Sequence, residues 1–286
     1  MTGLALALVL TSAVLHAAWN YLAKRIEATS ADAWLFAALS LILYAPLTLG
    51  LILVRQPALG TRQLVFMLGT AVLHTVYFVL LFRGYRAGGL SLVYPLARGT
   101  GPLLATVGAI ALLHERPSAL ALAGAALIAV GVFVITGGVR GLRERGSGGA
   151  IAYALLTGGT IALYTLWDKI GVSTIGIHPI LLEWGGGVGR TLFLTPFAVR
   201  EWDHVRTRLR THRRELFWIA ALSPLAYLMV LTALAFTPVS YVAPLREVSI
   251  VIGAALGAGL LAEGDAPRRM GAAAVMVIGV VCLSLG

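Results

Sequence analysis

The chain has 286 residues, of which 59% are hydrophobic and only 12% are charged, and its mean hydropathy is +0.89. These proportions exclude an ordinary soluble domain and predict an integral membrane protein. Its single cysteine, Cys282, excludes a disulfide framework and a cysteine metal site, and the absence of a GxxxxGK[ST] loop excludes a P-loop ATPase. The net charge of +10 lies mainly between apolar runs, so the expected partner is a lipid bilayer and not a nucleic acid.

Ten apolar runs of roughly 18 to 24 residues can be drawn along the chain, each long enough to cross a hydrocarbon core of about 30 Å. The predicted spans are 3–24, 33–54, 63–86, 90–113, 118–136, 149–170, 178–199, 214–235, 239–262 and 267–285. The first span has no basic segment before it and contains His16, Asn20 and Lys24. We therefore interpret it as a membrane span and not as a signal peptide.

The chain divides into two similar halves. SLVYPLAR, from Ser91 to Arg98, is nearly repeated 149 positions later as SYVAPL, from Ser240 to Leu245. We predict a first five-helix repeat over 1–139, a polar linker over 140–148 and a second five-helix repeat over 149–286. An odd number of spans in each repeat inverts the second copy, and transporters with inverted repeats bind substrate near the midplane between the halves.

Longer motifs give the chain a family resemblance. YPLARGTGPLLATVGAIALLHERPS is answered by APLREVSIVIGAALGAGLLAEGDAP, and the last span of each half is rich in glycine (Gly124 and Gly131; Gly271 and Gly279). With LHAAWNYLAK in the first span, this pattern resembles the EamA branch of the drug/metabolite transporter superfamily. The resemblance implies an all-α membrane protein of ten transmembrane helices in two inverted repeats. It also implies a transporter with both termini in the cytoplasm. The sequence contains no HExxH, GxSxG or DxxD motif and no paired acids in one span, so we predict no catalytic residues and no cofactor.

The distribution of positive charge predicts the opposite orientation. Fifteen of the 22 lysines and arginines lie in or beside the loops after odd-numbered spans, and four lie after even-numbered ones. The positive-inside rule then places both termini outside. The charge rule and the family resemblance therefore make opposite predictions for the termini.

Charged residues inside the spans are the sharpest candidates for a site, because ionisable groups there are costly and tend to face a partner or a cavity. Arg98 aligns with Glu247 in the repeat, and we predict that they form an ion pair or bracket the charged ends of a zwitterion. Arg246 points elsewhere, and Glu183 is its candidate partner. Asp168 and Lys169 are interpreted as a pair at the membrane boundary.

The repeated prolines have two interpretations. Pro95 and Pro244 each free the carbonyl group four residues earlier, which could mark broken helices at a binding site. Alternatively, each proline occupies a first helical turn, where it is tolerated.

Aromatic and hydrogen-bonding side chains complete the predicted site. Helical spacing puts His16, Trp19 and Asn20 on one stripe of the first span, with Lys24 as an anchor at the membrane boundary. Aligning Lys24 with Lys169 sets Trp19 against Tyr164, and such rings could hold an ammonium group by cation–π attraction. The predicted substrate-binding residues are His16, Trp19, Asn20, His74, Tyr77, Tyr94, Arg98, Tyr164, Tyr227 and Glu247, with His16 and Glu247 as candidate proton carriers and no metal.

The sequence thus predicts a secondary active transporter, an exporter or exchanger of small polar or amphipathic metabolites such as amino acids. Alternating access, with or without proton coupling, would move the substrate across the cell membrane of a prokaryote. One alternative is an organic-anion or sugar-phosphate exchanger of the same fold; a less favoured one is an intramembrane lipid-handling enzyme. The partners expected are the small-molecule substrate and the bilayer, with the chain either a monomer or a homodimer.

Overall fold

The computed structural model describes the backbone of residues 1–88, 90–135, 148–252 and 266–286, and the side chains of these residues except those at 30, 88, 90–92, 94, 95, 135 and 266–270. Most of the predicted linker and the second part of the ninth span therefore lie outside the described residues. The helices, numbered in chain order, are α1 (Gly3–Arg25), α2 (Ser30–Arg55), α3 (Thr61–Gly88), α4 (Leu90–Leu112), α5 (Ala119–Ile135), α6 (Gly148–Ser173), α7 (Pro179–Arg200), α8 (Trp202–Thr211), α9 (Arg213–Phe236), α10 (Val239–Leu245) and α11 (Ala266–Leu285).

The part of the chain that the structure describes is all helical, as the sequence predicts, and its helices are consistent with a membrane protein. Helices α1, α2, α3, α6 and α9 are long and apolar enough to cross a membrane, and shorter apolar helices lie in α4, α5 and α11. Large apolar side chains face outward, such as Ile42 at 71% and Val54 at 81% exposure, whereas many buried positions hold alanine. This distribution is typical of a helix bundle surrounded by lipid. The ten-crossing arrangement in two inverted repeats remains a prediction.

Most predicted spans coincide with single helices. The first eight spans and the tenth agree with α1 to α7, α9 and α11 to within three residues at either end. The ninth does not: α10 ends at Leu245, residues 246 and 247 form a turn, and helix resumes at 248. The interruption is bridged by short-range bonds, from Glu247 N–H to Pro244 O at 3.0 Å and from Ile250 N–H to Glu247 O at 2.9 Å.

The two repeated prolines therefore differ in their surroundings. Helix α4 continues through Pro95 to Leu112, so the interpretation of Pro95 as a helix break is wrong. Pro244 lies in the last turn of α10, directly before the interruption. The hydroxyl of Ser240, four residues before Pro244, has a hydrogen-bond partner in the protein, because it donates to Glu115 Oε2 at 2.7 Å.

A short basic helix, α8, lies between the seventh and eighth predicted spans. Its one buried residue is Val205, which packs with Ile26 and Leu35. Arg208 Nε and His204 Nε2 approach Asp32 Oδ1 at 3.5 and 3.3 Å. Because Asp32 also closes the capping box of α2 with Thr29, α8 docks on the N-terminus of that helix.

Packing between the two halves of the chain forms much of the described bundle. Helix α5 packs against α11, α3 against α6 and α7, α1 against α9, and α2 against α7. At the α5–α11 crossing, a Cβ atom on Gly124 would lie 2.6 Å from the carbonyl oxygen of Gly279. Only glycine permits this approach.

Candidate functional site

A buried carboxylate, Asp168 on α6, lies where α3, α6 and α9 meet. Asp168 is 0% exposed. Its oxygens accept hydrogen bonds from Thr70 Oγ1 at 2.5 Å, from His74 Nε2 at 3.1 Å and from the hydroxyl of Tyr227. We call Thr70, His74, Asp168 and Tyr227 the Asp168 cluster. Asp168 therefore faces other helices and not the lipid, and its position at the membrane boundary stays a prediction.

Lys169, the neighbour of Asp168, has a different role. Its ammonium donates to the carbonyl groups of Leu234 at 2.7 Å and Thr237 at 3.1 Å. It therefore satisfies free carbonyl groups at the C-terminus of α9, where a cation also favours the helix dipole. Asp168 and Lys169 do not pair, because successive residues of a helix point about 100° apart.

A chain of charged groups extends from the Asp168 cluster to α7. His74 Nδ1 lies 3.3 Å from Arg190 Nη1, and Arg190 Nη2 donates to Glu183 Oε1 at 2.9 Å. A guanidinium group has only donors, so His74 Nδ1 is the acceptor and Nε2 carries the proton that is donated to Asp168. Glu183, the predicted partner of Arg246, thus pairs with Arg190, and that prediction is wrong.

Aromatic rings enclose His74. The ring of Tyr164 lies 4.4 Å from it and that of Tyr227 5.2 Å, while Tyr77 packs edge-on against Tyr164 at 5.9 Å. Tyr164 and Asp168 are four residues apart and share a face of α6. The structure therefore brings four of the predicted substrate-binding residues together: His74, Tyr77, Tyr164 and Tyr227.

The predicted ion pair between Arg98 and Glu247 is present. Arg98 Nε lies 3.0 Å from Glu247 Oε2, and Arg98 Nη2 lies 3.4 Å from Ser249 Oγ. The two residues are 4% and 3% exposed. Glu247 lies in the turn after α10, so the interrupted helix places its carboxylate opposite α4.

Arg246, the other residue of that turn, is half-buried. Its guanidinium carbon lies 5.5 Å from the ring centroid of Tyr227, within cation–π range. Among the described residues no carboxylate approaches it within the 4.0 Å of an ion pair. Arg246 is therefore a cation that an anionic group could neutralise.

The predicted stripe on α1 makes mainly local contacts. Trp19 Nε1 donates to His16 Nδ1 at 3.3 Å, and Asn20 Nδ2 donates to the carbonyl of His16 at 2.7 Å. Trp19 packs towards Ile26 and Leu35 at the end of the helix. The side chain of Tyr94 lies outside the described residues.

Two small cavities lie near these charged groups. One lies between α2, α7 and α9 and is lined by Tyr44, Glu183 and Arg190, among others. The other touches Arg98 and Glu247. Each of the two arginine–glutamate pairs therefore borders a cavity.

Comparisons with known proteins agree with the resemblance that the motifs give. Residues 3–137 match the model of the EamA-like transporter family. This part of the chain, just under half of its length, is similar to that family, which lies within the drug/metabolite transporter superfamily. The EamA family consists of transporters and not of enzymes. No curated protein matches the chain.

A solved crystal structure has a similar fold. It covers 98% of this chain and 98% of its own, with a TM-score of 0.72 and 15% sequence identity. At this identity the likeness shows the fold alone. The chemistry of the site therefore follows from the residues of this chain alone.

Proposed function

We propose that this protein is a secondary active transporter that moves small zwitterionic metabolites such as amino acids across a prokaryotic cell membrane by alternating access. It would act as an exporter or exchanger, as a monomer or a homodimer in the bilayer. The EamA family supports a membrane transporter of this superfamily. The substrate, the coupling and the direction of transport are proposals.

The helix packing supports two inverted five-helix repeats. In this arrangement α6 is the counterpart of α1, α7 of α2, α9 of α3 and α11 of α5. A two-fold axis between the halves then maps the contact between α1 and α9 onto the contact between α6 and α3. The contacts of α2 with α7 and of α5 with α11 then map onto themselves, and all of these contacts occur. In such a bundle the halves can rock about a site between them.

We infer the substrate class from the pair of opposite charges on either side of Tyr227. Its hydroxyl donates to the buried carboxylate of Asp168, and its ring lies under the cation of Arg246. A zwitterion would place its carboxylate on Arg246. Its ammonium group would lie towards Asp168 and the rings of Tyr164 and Tyr227, where cation–π attraction adds to the charge attraction.

The charge balance favours an amino acid over an organic phosphate. Of the three arginines Arg98, Arg190 and Arg246, the first two are paired with glutamates. One remaining cation suits a single carboxylate. A sugar phosphate carries nearly two negative charges and would be under-compensated.

Counterflow in proteoliposomes tests this proposal. Vesicles preloaded with an unlabelled amino acid mixture should accumulate the same mixture in radiolabelled form, chemically unchanged. Arg98→Ala and Glu247→Ala should abolish this exchange in protein that inserts and remains monodisperse. Exchange of organic phosphates without amino acids would favour the anion exchanger, and a chemically altered product would favour an enzyme.

A further inference from the structure

We propose that His74 Nδ1 is the atom that binds the coupling proton, and that Arg190 leaves His74 for Glu183 when this proton binds. This inference rests on the proposed function, because it supplies the ion that drives transport. The predicted proton carriers His16 and Glu247 are not used by it.

Arg190 and a proton compete for one lone pair. Arg190 bridges two acceptors, His74 Nδ1 at 3.3 Å and Glu183 Oε1 at 2.9 Å. An arginine remains charged and has no acceptor, so its contact with Nδ1 requires the unprotonated nitrogen. Once Nδ1 carries a proton, two donors face each other and Arg190 has to move away.

Asp168 is placed to stabilise the protonated ring. It already holds Nε2 of His74 at 3.1 Å, and among the described residues no lysine or arginine comes within 4.0 Å of its carboxylate. A fully buried carboxylate without a fixed cation is costly. A proton on Nδ1 would make the ring an imidazolium and give Asp168 an opposite charge at hydrogen-bonding distance.

Glu183 offers Arg190 a place to move to. Its Oε1 holds Arg190 already, whereas Oε2 is buried without a hydrogen-bond partner. Arginine and a carboxylate readily form two parallel hydrogen bonds. A small shift of the guanidinium group would exchange the contact with His74 for a second bond to Glu183, beside the cavity between α2, α7 and α9.

Charged and titratable groups surround His74 on several elements. They are Asp168 and Tyr164 on α6, Arg190 and Glu183 on α7, Tyr227 on α9 with Arg246 beyond its ring, and Tyr44 on α2, next to Glu183. In the arrangement observed, Arg190 stands against two carboxylates, Asp168 and Glu183. Arg246 does not contact Asp168, so a positive charge is lacking in direct contact with that carboxylate, and either a proton on His74 or the ammonium group of a substrate would supply it. Mutual exclusion of these two cations is the requirement for exchange of a proton for substrate.

Histidine ring resonances test this switch directly. In the full-length protein with isotope-labelled histidine in lipid nanodiscs, the His74 signal is the one that His74→Gln removes. At high pH it should report the Nε2–H tautomer, and on acidification it should become an imidazolium. Arg190→Gln removes the competitor, so the titration midpoint should rise by about one pH unit or more; Arg200→Gln, at the exposed end of α7, is the control and should leave it unchanged.

A double-mutant cycle separates movement of Arg190 from a simple field effect. Glu183→Gln removes the second binding place, so Arg190 should stay on His74 and the midpoint should fall. If Glu183 acts through Arg190, the same substitution should have little effect in the Arg190→Gln background. An equal or larger effect there would overturn the switch, as would an Nδ1–H tautomer at high pH.

Transport distinguishes this inference from the proposed function. A pH gradient should drive accumulation of the radiolabelled amino acid mixture in wild-type proteoliposomes, and His74→Gln should lose that accumulation. Wild-type accumulation in His74→Gln would overturn the coupling role while the proposed function stands. Absence of amino acid counterflow in the wild type would overturn the proposed function, whatever the histidine spectra show.

Discussion

Arg246 is the residue on which the choice of substrate depends most. It is the one arginine of the site without a carboxylate partner among the described residues, and it is held over Tyr227. Arg246→Ala should raise the KM for amino acid counterflow by about tenfold to a hundredfold, because a charged hydrogen bond contributes roughly 1.5–3 kcal/mol. Counterflow initial rates against substrate concentration measure this.

Two variants make the test of Arg246 specific. Arg246→Lys keeps the charge and should recover part of the affinity, although lysine cannot present two parallel donors. Arg200→Ala removes an exposed arginine at the end of α7 and should change nothing. A wild-type KM in Arg246→Ala would contradict the zwitterion proposal.

Substitution of Thr70 should have a measurable effect on the stability of the protein. Its hydroxyl donates to Asp168 Oδ1 at 2.5 Å, so Thr70→Val leaves a buried carboxylate oxygen with one donor fewer. We expect a loss of about 1–3 kcal/mol in unfolding free energy, seen as a lower thermal midpoint in detergent. Thr75→Val is a matched control on α3, because the Thr75 hydroxyl bonds only to the carbonyl of Ala71 in its own helix; equal midpoints for the two variants would refute this role.

The sequence predicts parts of the site because the repeat constrains them. Arg98 and Glu247 occupy aligned positions, and their pairing agrees with a two-fold relation between the halves. The hydrogen bonds of Asp168 to α3 and α9 are not predicted, because the sequence suggests only its neighbour Lys169 as a partner. Its spacing of four from Tyr164 is the signal that could identify it. The contact between Arg190 and His74 depends on how α3 and α7 pack, which hydropathy does not encode.

At the scale of single elements, Glu115 fixes the start of α10. It lies in the HERP segment after α4 and accepts from the N–H groups of Val239 at 2.7 Å and Ser240 at 2.9 Å, besides the Ser240 hydroxyl. A carboxylate at a helix N-terminus satisfies free donors and favours the helix dipole. Because α10 ends at the turn that holds Arg246 and Glu247, this cap also positions the site.

Removal of this cap should therefore affect both stability and binding. Glu115→Ala should cost at least about 2 kcal/mol of unfolding free energy, because three hydrogen bonds to a charged group are lost, and it should raise the KM for counterflow. Thermal unfolding in detergent and counterflow kinetics measure the two effects. Glu215→Ala, in the first turn of α9, serves as the control, and a wild-type KM in Glu115→Ala would show that the cap does not position the site.

The crossing of α5 and α11 makes a second test at this scale. A side chain on Gly124 would meet the carbonyl of Gly279 and the backbone of Leu283, whereas one on Gly271 meets nothing within 4 Å. Gly124→Leu should therefore separate the helices and lower the yield of monodisperse protein, and Gly271→Leu should not. Size-exclusion profiles compare them; similar profiles would mean that the crossing tolerates separation.

Helix boundaries are largely predictable from the sequence, and the interruption of the ninth span is not. Apolar length fixes where a span begins and ends, so α1 to α7 agree closely with prediction. Pro95 and Pro244 lie in equivalent motifs, yet only α10 ends near its proline. The difference lies in the residues after the second proline, because Glu247 pairs with Arg98 across the interface. The sequence of one copy of the motif does not reveal this contact, because it joins residues from different halves of the chain.

At the scale of the whole molecule, a side-chain contact places two of the basic segments on one face. Arg208 Nη2 donates to the carbonyl of Glu27 at 3.1 Å, which joins the loop after α1 to the segment between α7 and α9. At the C-terminus, the carbonyl of Gly286 accepts from the Tyr241 hydroxyl at 3.2 Å, near the start of α10 and beside Ser118. The C-terminus thus lies with the loops after α4 and α9, which carry few cations.

This arrangement turns the positive-inside rule into a prediction for the C-terminus. Because the basic face should be cytoplasmic, alkaline phosphatase fused after Gly286 should be active, and a green fluorescent protein at that position should be dark. Truncation after His212 moves the fusion point to the basic face and should reverse both results. Fluorescence at Gly286 would instead favour the cytoplasmic termini that the family resemblance implies, and would show that the arginines of α8 bind Asp32 and Glu27 without setting topology.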